Sequence, residues 1–91
     1  MQRKPLISVI VPVHNQEKYI GRCLRSLLDQ SLIRAMYEII VVNDGSSDET
    51  ANIVKSEFPK AILINKKNGG CASARNAGIK AATGEYIALL D

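Results

Sequence analysis

The chain has 91 residues, 46% of them hydrophobic and 23% charged, with a formal net charge of +3. This composition excludes a disordered or low-complexity protein, and the length bounds the fold at one domain, near the smallest size that buries a self-sufficient core. No apolar run approaches the roughly 18 residues of a membrane-spanning helix.

Leu6–Val13 is β-branched and almost continuously apolar, the pattern of a strand covered on both faces. Pro12, His14 and Asn15 interrupt that segment and no small-residue cleavage site follows, which argues against a secretory leader. His14 to Glu17 form a polar turn, with Asn15 a candidate helix N-cap. Ile20, Cys23, Leu24, Leu27 and Leu28 then recur at helical spacing, predicting a helix that ends near Gln30 or Ser31. Tyr37–Val42 reads as a second buried strand. Ser46 followed by Glu49 is a capping box, so the next helix is expected to start there, with Ala51, Val54 and Phe58 as its apolar stripe and Pro59 as its stop.

Ala61–Asn65 is a third, shorter strand, followed by a glycine-bearing loop from Lys66 to Gly70. The small residues from Cys71 to Ala82 predict a closely packed helix, in which Gly78 allows approach to the sheet and Gly84 marks the stop. Tyr86–Leu90 is the fourth strand. The order β-α-β-α-β-α-β with short connections predicts an α/β fold: an open, mostly parallel, Rossmann-like sheet. No helix follows the last strand, so we expect a piece of something longer.

Cys23 and Cys71 are far apart and form no CxxC pair, so two reduced thiols are expected, with neither a disulfide nor a zinc site. Charge is uneven. Lys60, Lys66, Lys67, Arg75 and Lys80 lie between Phe58 and Gly84 with no carboxylate among them. That run suits an anionic ligand or a solvated face. It contains no aromatic residue for base stacking, so nucleic-acid binding is not expected.

The polar peculiarities fall after strands, and in a parallel sheet those loops gather on one edge, where ligands bind. His14 and Asn15 follow the first strand, Asn43 to Ser46 the second, Asn68 to Gly70 the third, and Asp91 the fourth. Asp44-Gly45 is also a hairpin signal, but a helix follows it, which leaves a βα loop whose carboxylate can accept a ligand N–H. Asn68-Gly69-Gly70 would let backbone amides approach a phosphate, though it matches neither common phosphate-loop motif. Arg75, one turn into the next helix, can reach an anion or a base edge, or serve as a surface arginine. His14 reads as a pocket wall or capping partner, since no nucleophile is placed for it to activate. Asp91 gains interest only with a second carboxylate nearby, where the two would hold a divalent cation.

Four ordered segments, VPVHN (Val11–Asn15), VVNDGSSD (Val41–Asp48), NGGCASARNAG (Asn68–Gly78) and GEYIALLD (Gly84–Asp91), together resemble the start of a family 2 glycosyltransferase of GT-A fold. The resemblance implies that residues 1–91 are the nucleotide-sugar-binding half of a truncated GT-A domain, without the acceptor half or the catalytic base. It implies an inverting transfer from a nucleotide-diphosphate sugar, UDP-linked, to a growing polysaccharide or lipid-linked glycan on the cytoplasmic side of a membrane. On the same basis Pro12, Val13, His14 and Asn15 wall the nucleotide pocket, and Asp44, beside Gly45, accepts the uracil N–H. Asn68 and Gly70 join that site, and Arg75 contacts the base or diphosphate. Of the other charges in the basic run, Lys66 and Lys67 are expected to help on the diphosphate side, and Lys60 and Lys80 to be plain surface charge. Asp91 resembles the first aspartate of a DxD element that places Mg²⁺ or Mn²⁺. This sequence departs from the family pattern with His14 where tyrosine is frequent and Asn43 in place of a first aspartate. A nucleotidyltransferase-like domain and a non-catalytic nucleotide-binding module remain the alternatives.

Overall fold

The computed structural model describes residues 5–29 and 36–90. They form β1 (Ile7–Val13), α1 (Ile20–Leu28), β2 (Tyr37–Asp44), α2 (Thr50–Glu57), β3 (Ile62–Lys66), α3 (Cys71–Ala81) and β4 (Tyr86–Leu89). The strands make one parallel sheet in the order β3-β2-β1-β4. The alternating α/β architecture expected from the sequence is the one observed. Chain order reverses between β1 and β4, so the sheet has a topological switch beside β1.

Alternation along the two central strands explains why they read as continuously apolar. Val11, Val13, Ile39 and Val41 face α1 and α2, where Ile20, Leu24, Val54 and Phe58 complete one core. Ile10, Ile40 and Val42 face α3 and pack on Ala74. Ile10, Ile40, Val41 and Val42 are essentially fully buried, and each such side chain is worth roughly 1.5–3 kcal/mol of transfer free energy. The outer strands are far more exposed, and every residue of β4 is open to solvent.

α3 lies close to the sheet because Gly78 lacks a side chain. A Cβ there would collide with Cγ2 of Ile10 and press on Val42. Gly78→Ala gains up to about 1 kcal/mol of helix propensity but overpacks a site whose neighbours are buried and β-branched, at a cost of about 1–3 kcal/mol. We expect a net loss of up to about 2 kcal/mol in urea denaturation. Trimming Ile10 to alanine in the same chain should reverse the sign of the Gly78 effect.

At the amino end of the sheet, Ser8 is fully buried and donates its hydroxyl to Glu38 at 2.6 Å. The same carboxylate accepts the Thr83 N–H at 2.8 Å and the Thr83 hydroxyl at 3.1 Å, while Gly84 donates its N–H to the Ser8 oxygen at 2.8 Å. This clamp ties the α3–β4 connection to β1 and β2. Partial burial alone would push the Glu38 carboxyl up, but the hydrogen bonds from Ser8, Thr83 and Gly84 outweigh it and hold the group below the usual carboxylate range.

Three boundaries differ from expectation. β2 runs on through Asn43 and Asp44, because β3 offers both a polar partner in register: Asn43 faces Asn65 and Asp44 faces Lys66. Asn43 Nδ2 donates to Asn65 Oδ1 at 2.9 Å, so the ladder continues on side chains that look like loop residues. The Ser46–Glu49 capping box does not form; α2 starts at Thr50, and Asp48 accepts both the Thr50 N–H, at 3.0 Å, and the Thr50 hydroxyl. Asn15 does not cap α1, which starts five residues later with Tyr19 at its N-cap. α1 ends at Leu28; Gln30 and Ser31, where its end was expected, lie outside the described residues.

Candidate functional site

The loops after β1 and β2 are laced together at the carboxyl edge of the sheet. Asn15 adopts a left-handed conformation (φ 51°), which its short polar side chain tolerates. There its N–H donates to the Ser46 hydroxyl at 2.8 Å and its Oδ1 accepts the Ser47 N–H at 2.8 Å. Gln16 donates its N–H to Thr50 Oγ1 at 2.8 Å, and Glu17 donates to Asp48 Oδ2 at 3.2 Å. The serines and Asp48 therefore bind across more than thirty residues of chain. His14 joins them through Nδ1, which lies 2.7 Å from the Asp44 carbonyl, and Asn15 Nδ2 stands 3.3 Å from Nε2. Both contacts are satisfied when the imidazole carries its hydrogen on Nδ1. His14 thus acts here as a strut between two loops.

Asp44 is the centre of the site. Only 5% of it is exposed, yet it is a carboxylate, so its desolvation must be offset by partners. Lys66 Nζ donates to Oδ1 at 2.9 Å, Gly69 N–H to the same oxygen at 2.9 Å, and Gly70 N–H to Oδ2 at 3.0 Å. The hydrogen bond from Lys66, then that from Gly69 and that from Gly70, outweigh burial and hold the Asp44 carboxyl below its usual range. α3 begins at the next residue, Cys71, so its positive N-terminal dipole also faces this carboxylate. Gly45 (φ 68°) brings the β2 loop against the backbone of Asn68.

The structure therefore brings together His14, Asn15, Asp44, Gly45, Asn68 and Gly70 from the expected set. Pro12 and Val13 pair in register with Val42 and Asn43 just below them. The Val13 side chain belongs to the α1–α2 core, leaving only its main chain for a ligand. Arg75 sits half-buried one turn into α3. Asp91 lies outside the described residues. Lys66 needs a correction: in place of an open diphosphate-side cation, it is an ion-pair partner of Asp44 that also donates to the Lys67 carbonyl at 2.7 Å. The register Asp44↔Lys66 assigns that role, and no local motif announces it. Ser46, Ser47 and Thr50 were likewise missed as loop fasteners.

Among the described residues no three of His, Cys, Asp and Glu gather as metal ligands. The nearest carboxylate, Asp44, already holds an ammonium and two N–H groups. The described residues by themselves do not make a divalent-cation site. No helix among them is long and apolar enough to cross a membrane.

The profile of "Glycosyl transferase family 2" matches residues 8–91. The uncharacterized glycosyltransferase EpsJ of Bacillus subtilis (strain 168) is 46% identical over 90 residues, covering 96% of this chain and 26% of EpsJ. Among solved structures, S. aureus TarS 1-349 in complex with UDP-GlcNAc superposes with a TM-score of 0.83 at 39% identity, covering 98% of this chain and 26% of that one. Mannosyltransferase PcManGT from Pyrobaculum calidifontis, in complex with GDP-Man and Mn²⁺, gives 0.78 at 30% identity, covering 93% and 26%. The chain spans about a quarter or less of the length of the curated relatives it matches.

Proposed function

Since the chain belongs to glycosyl transferase family 2, we propose that residues 1–91 form the donor-binding part of an inverting glycosyltransferase using a uridine-diphosphate sugar. The observation that carries this reading is the Asp44 carboxylate, fixed at the carboxyl edge of the sheet by Lys66, Gly69 and Gly70 beside the β1 loop. An acceptor held this firmly suits a base N–H, and backbone at Pro12, Val13, His14 and Asn15 stands next to it. Asn68, Gly70 and Arg75 would then serve the base or diphosphate side. TarS binds UDP-GlcNAc and UDP on the same fold, which supports the uridine assignment.

The acceptor in this reading is a growing polysaccharide or lipid-linked glycan, met on the cytoplasmic side, and its binding and the catalytic base fall to a part of the enzyme other than residues 1–91. PcManGT is a relative complexed with Mn²⁺. For this chain we place an Mg²⁺ or Mn²⁺ ion at Asp91, where it would supply positive charge to the leaving diphosphate.

Titration of the full protein with UDP, followed by amide NMR, tests the reading. Shifts are expected at Asn15, Gly45, Gly69, Gly70 and Arg75, with Lys55 and Lys60 at the opposite end unmoved. The reading fails if UDP moves no resonance or if the shifts cluster elsewhere.

A further inference from the structure

Asp44 already accepts three hydrogen bonds from the protein before any ligand arrives. An ionised carboxylate offers about four acceptor positions. Oδ1 has taken the Lys66 ammonium and the Gly69 N–H, and Oδ2 has taken the Gly70 N–H, so one position remains, on Oδ2. Two of the three donors are main chain and recur whatever the side chains are. The third is Lys66, which is itself fixed: it is paired in register with Asp44, its side chain is 20% exposed, and a second N–H is held by the Lys67 carbonyl.

We propose that Lys66 is the selectivity-determining residue of the donor pocket, because its hold on Oδ1 leaves Asp44 able to accept a single ligand N–H. The proposal rests on the nucleotide-binding reading above and adds to it the reason one base is taken and another refused. A uracil imide edge presents one N–H between two carbonyls and uses the one remaining position. Guanine presents N1–H and an exocyclic amine side by side, two donors that an unencumbered carboxylate would accept through both oxygens. At Asp44 the second of these donors meets an oxygen already filled. A donor desolvated without an acceptor is costly, and a site built on that count discriminates strongly. Lys66 does not touch the base in this account; it acts through Asp44 and is a positioning residue.

Calorimetric titration of the full protein with UDP and with GDP separates the possibilities. The unaltered protein should bind UDP about tenfold more tightly than GDP. In Lys66→Met, a second acceptor position opens on Oδ1, and the preference should fall to within about threefold, chiefly because GDP gains. Lys66→Arg, which restores a cation donating to the same oxygen, should keep a preference of at least about fivefold. A loss of packing alone would weaken both nucleotides together and would leave their ratio unchanged. The proposal is overturned if Lys66→Met keeps the original ratio, or if the unaltered protein shows no preference, a result that stands even should the methionine variant not fold. Failure of UDP to bind the unaltered protein would instead refute the underlying donor-site reading.

Discussion

Asp44→Ala is expected to weaken UDP binding about 100-fold, since charge-assisted hydrogen bonds are the strong ones and this one is desolvated. The substitution acts twice. It deletes the acceptor offered to the ligand, and it strands the donors now aimed at that acceptor: the Lys66 ammonium and the N–H groups of Gly69 and Gly70. The loop from Lys66 to Gly70 should loosen, seen as faster amide hydrogen exchange at Gly69 and Gly70. Asp44→Asn retains one acceptor oxygen and should fall between the two. Unchanged UDP affinity in Asp44→Ala would remove the basis for placing a nucleotide here.

The same carboxylate sets a pH dependence whose sign follows from its depressed folded-state value. Unfolded, an aspartate titrates near 3.9. Above that pH both states are ionised and the full stabilisation from Lys66, Gly69 and Gly70 is present. As pH falls below it, the unfolded chain takes up a proton before the folded one does, and the contribution fades until the folded carboxyl also protonates. Glu38, depressed by Ser8, Thr83 and Gly84 against the effect of its burial, adds a change of the same sign at the other end of the sheet. Stability should therefore be level near neutrality and decline below about pH 4. Urea midpoints measured from pH 7 to pH 3 should fall less steeply for Asp44→Ala than for the unaltered protein.

Gly45→Ala should be the most damaging of the glycine substitutions. Its φ of 68° costs an L-residue about 1–2 kcal/mol. A methyl group would also lie 2.6 Å from the Asn68 nitrogen, 2.8 Å from its Cβ and 3.0 Å from its Cα. Overpacking of that kind costs about 1–3 kcal/mol, so the total expected in urea denaturation is about 2–5 kcal/mol. The contrast with Gly78 is instructive. There the obstacle is a side chain, Ile10, which a second substitution removes; at Gly45 it is the main chain of the loop that carries Gly69 and Gly70 to Asp44. Displacing that loop should also cost UDP about tenfold in affinity. A Gly45→Ala protein with unaltered stability would show that the two loops are not in contact as described.

The β-branched runs, the small-residue helix and a glycine set within it at position 78 could all be seen in the sequence, because each is a pattern within one element; the Ile10 side chain that makes that glycine necessary comes from β1. What escaped it depends on pairing between segments. Asn43 and Asp44 look like loop residues until Asn65 and Lys66 are set beside them, 22 positions away. Ser46 has the right spacing to cap a helix with Glu49, yet its hydroxyl is claimed by the Asn15 N–H from the preceding loop. Asn15 is drawn off its own helix in the same exchange. A short polar side chain chooses between a local donor and a distant one, and only the local one is visible along the chain. Lys66 shows the same effect most sharply: counted as one cation in a basic run, it is largely balanced by Asp44.

The lacing of Asn15, Gln16 and Glu17 to Ser46, Ser47, Asp48 and Thr50 has an entropic consequence. Ordering a rotamer-rich side chain at a binding surface costs about 0.5–1.5 kcal/mol each time a ligand arrives. In these two loops that freedom is surrendered once, when the protein folds, and the hydrogen bonds that fix it are internal. On the proposed reading, a nucleotide entering at this edge would meet walls already at rest, so more of its contact energy would be expressed as affinity and less consumed in arranging the protein around it.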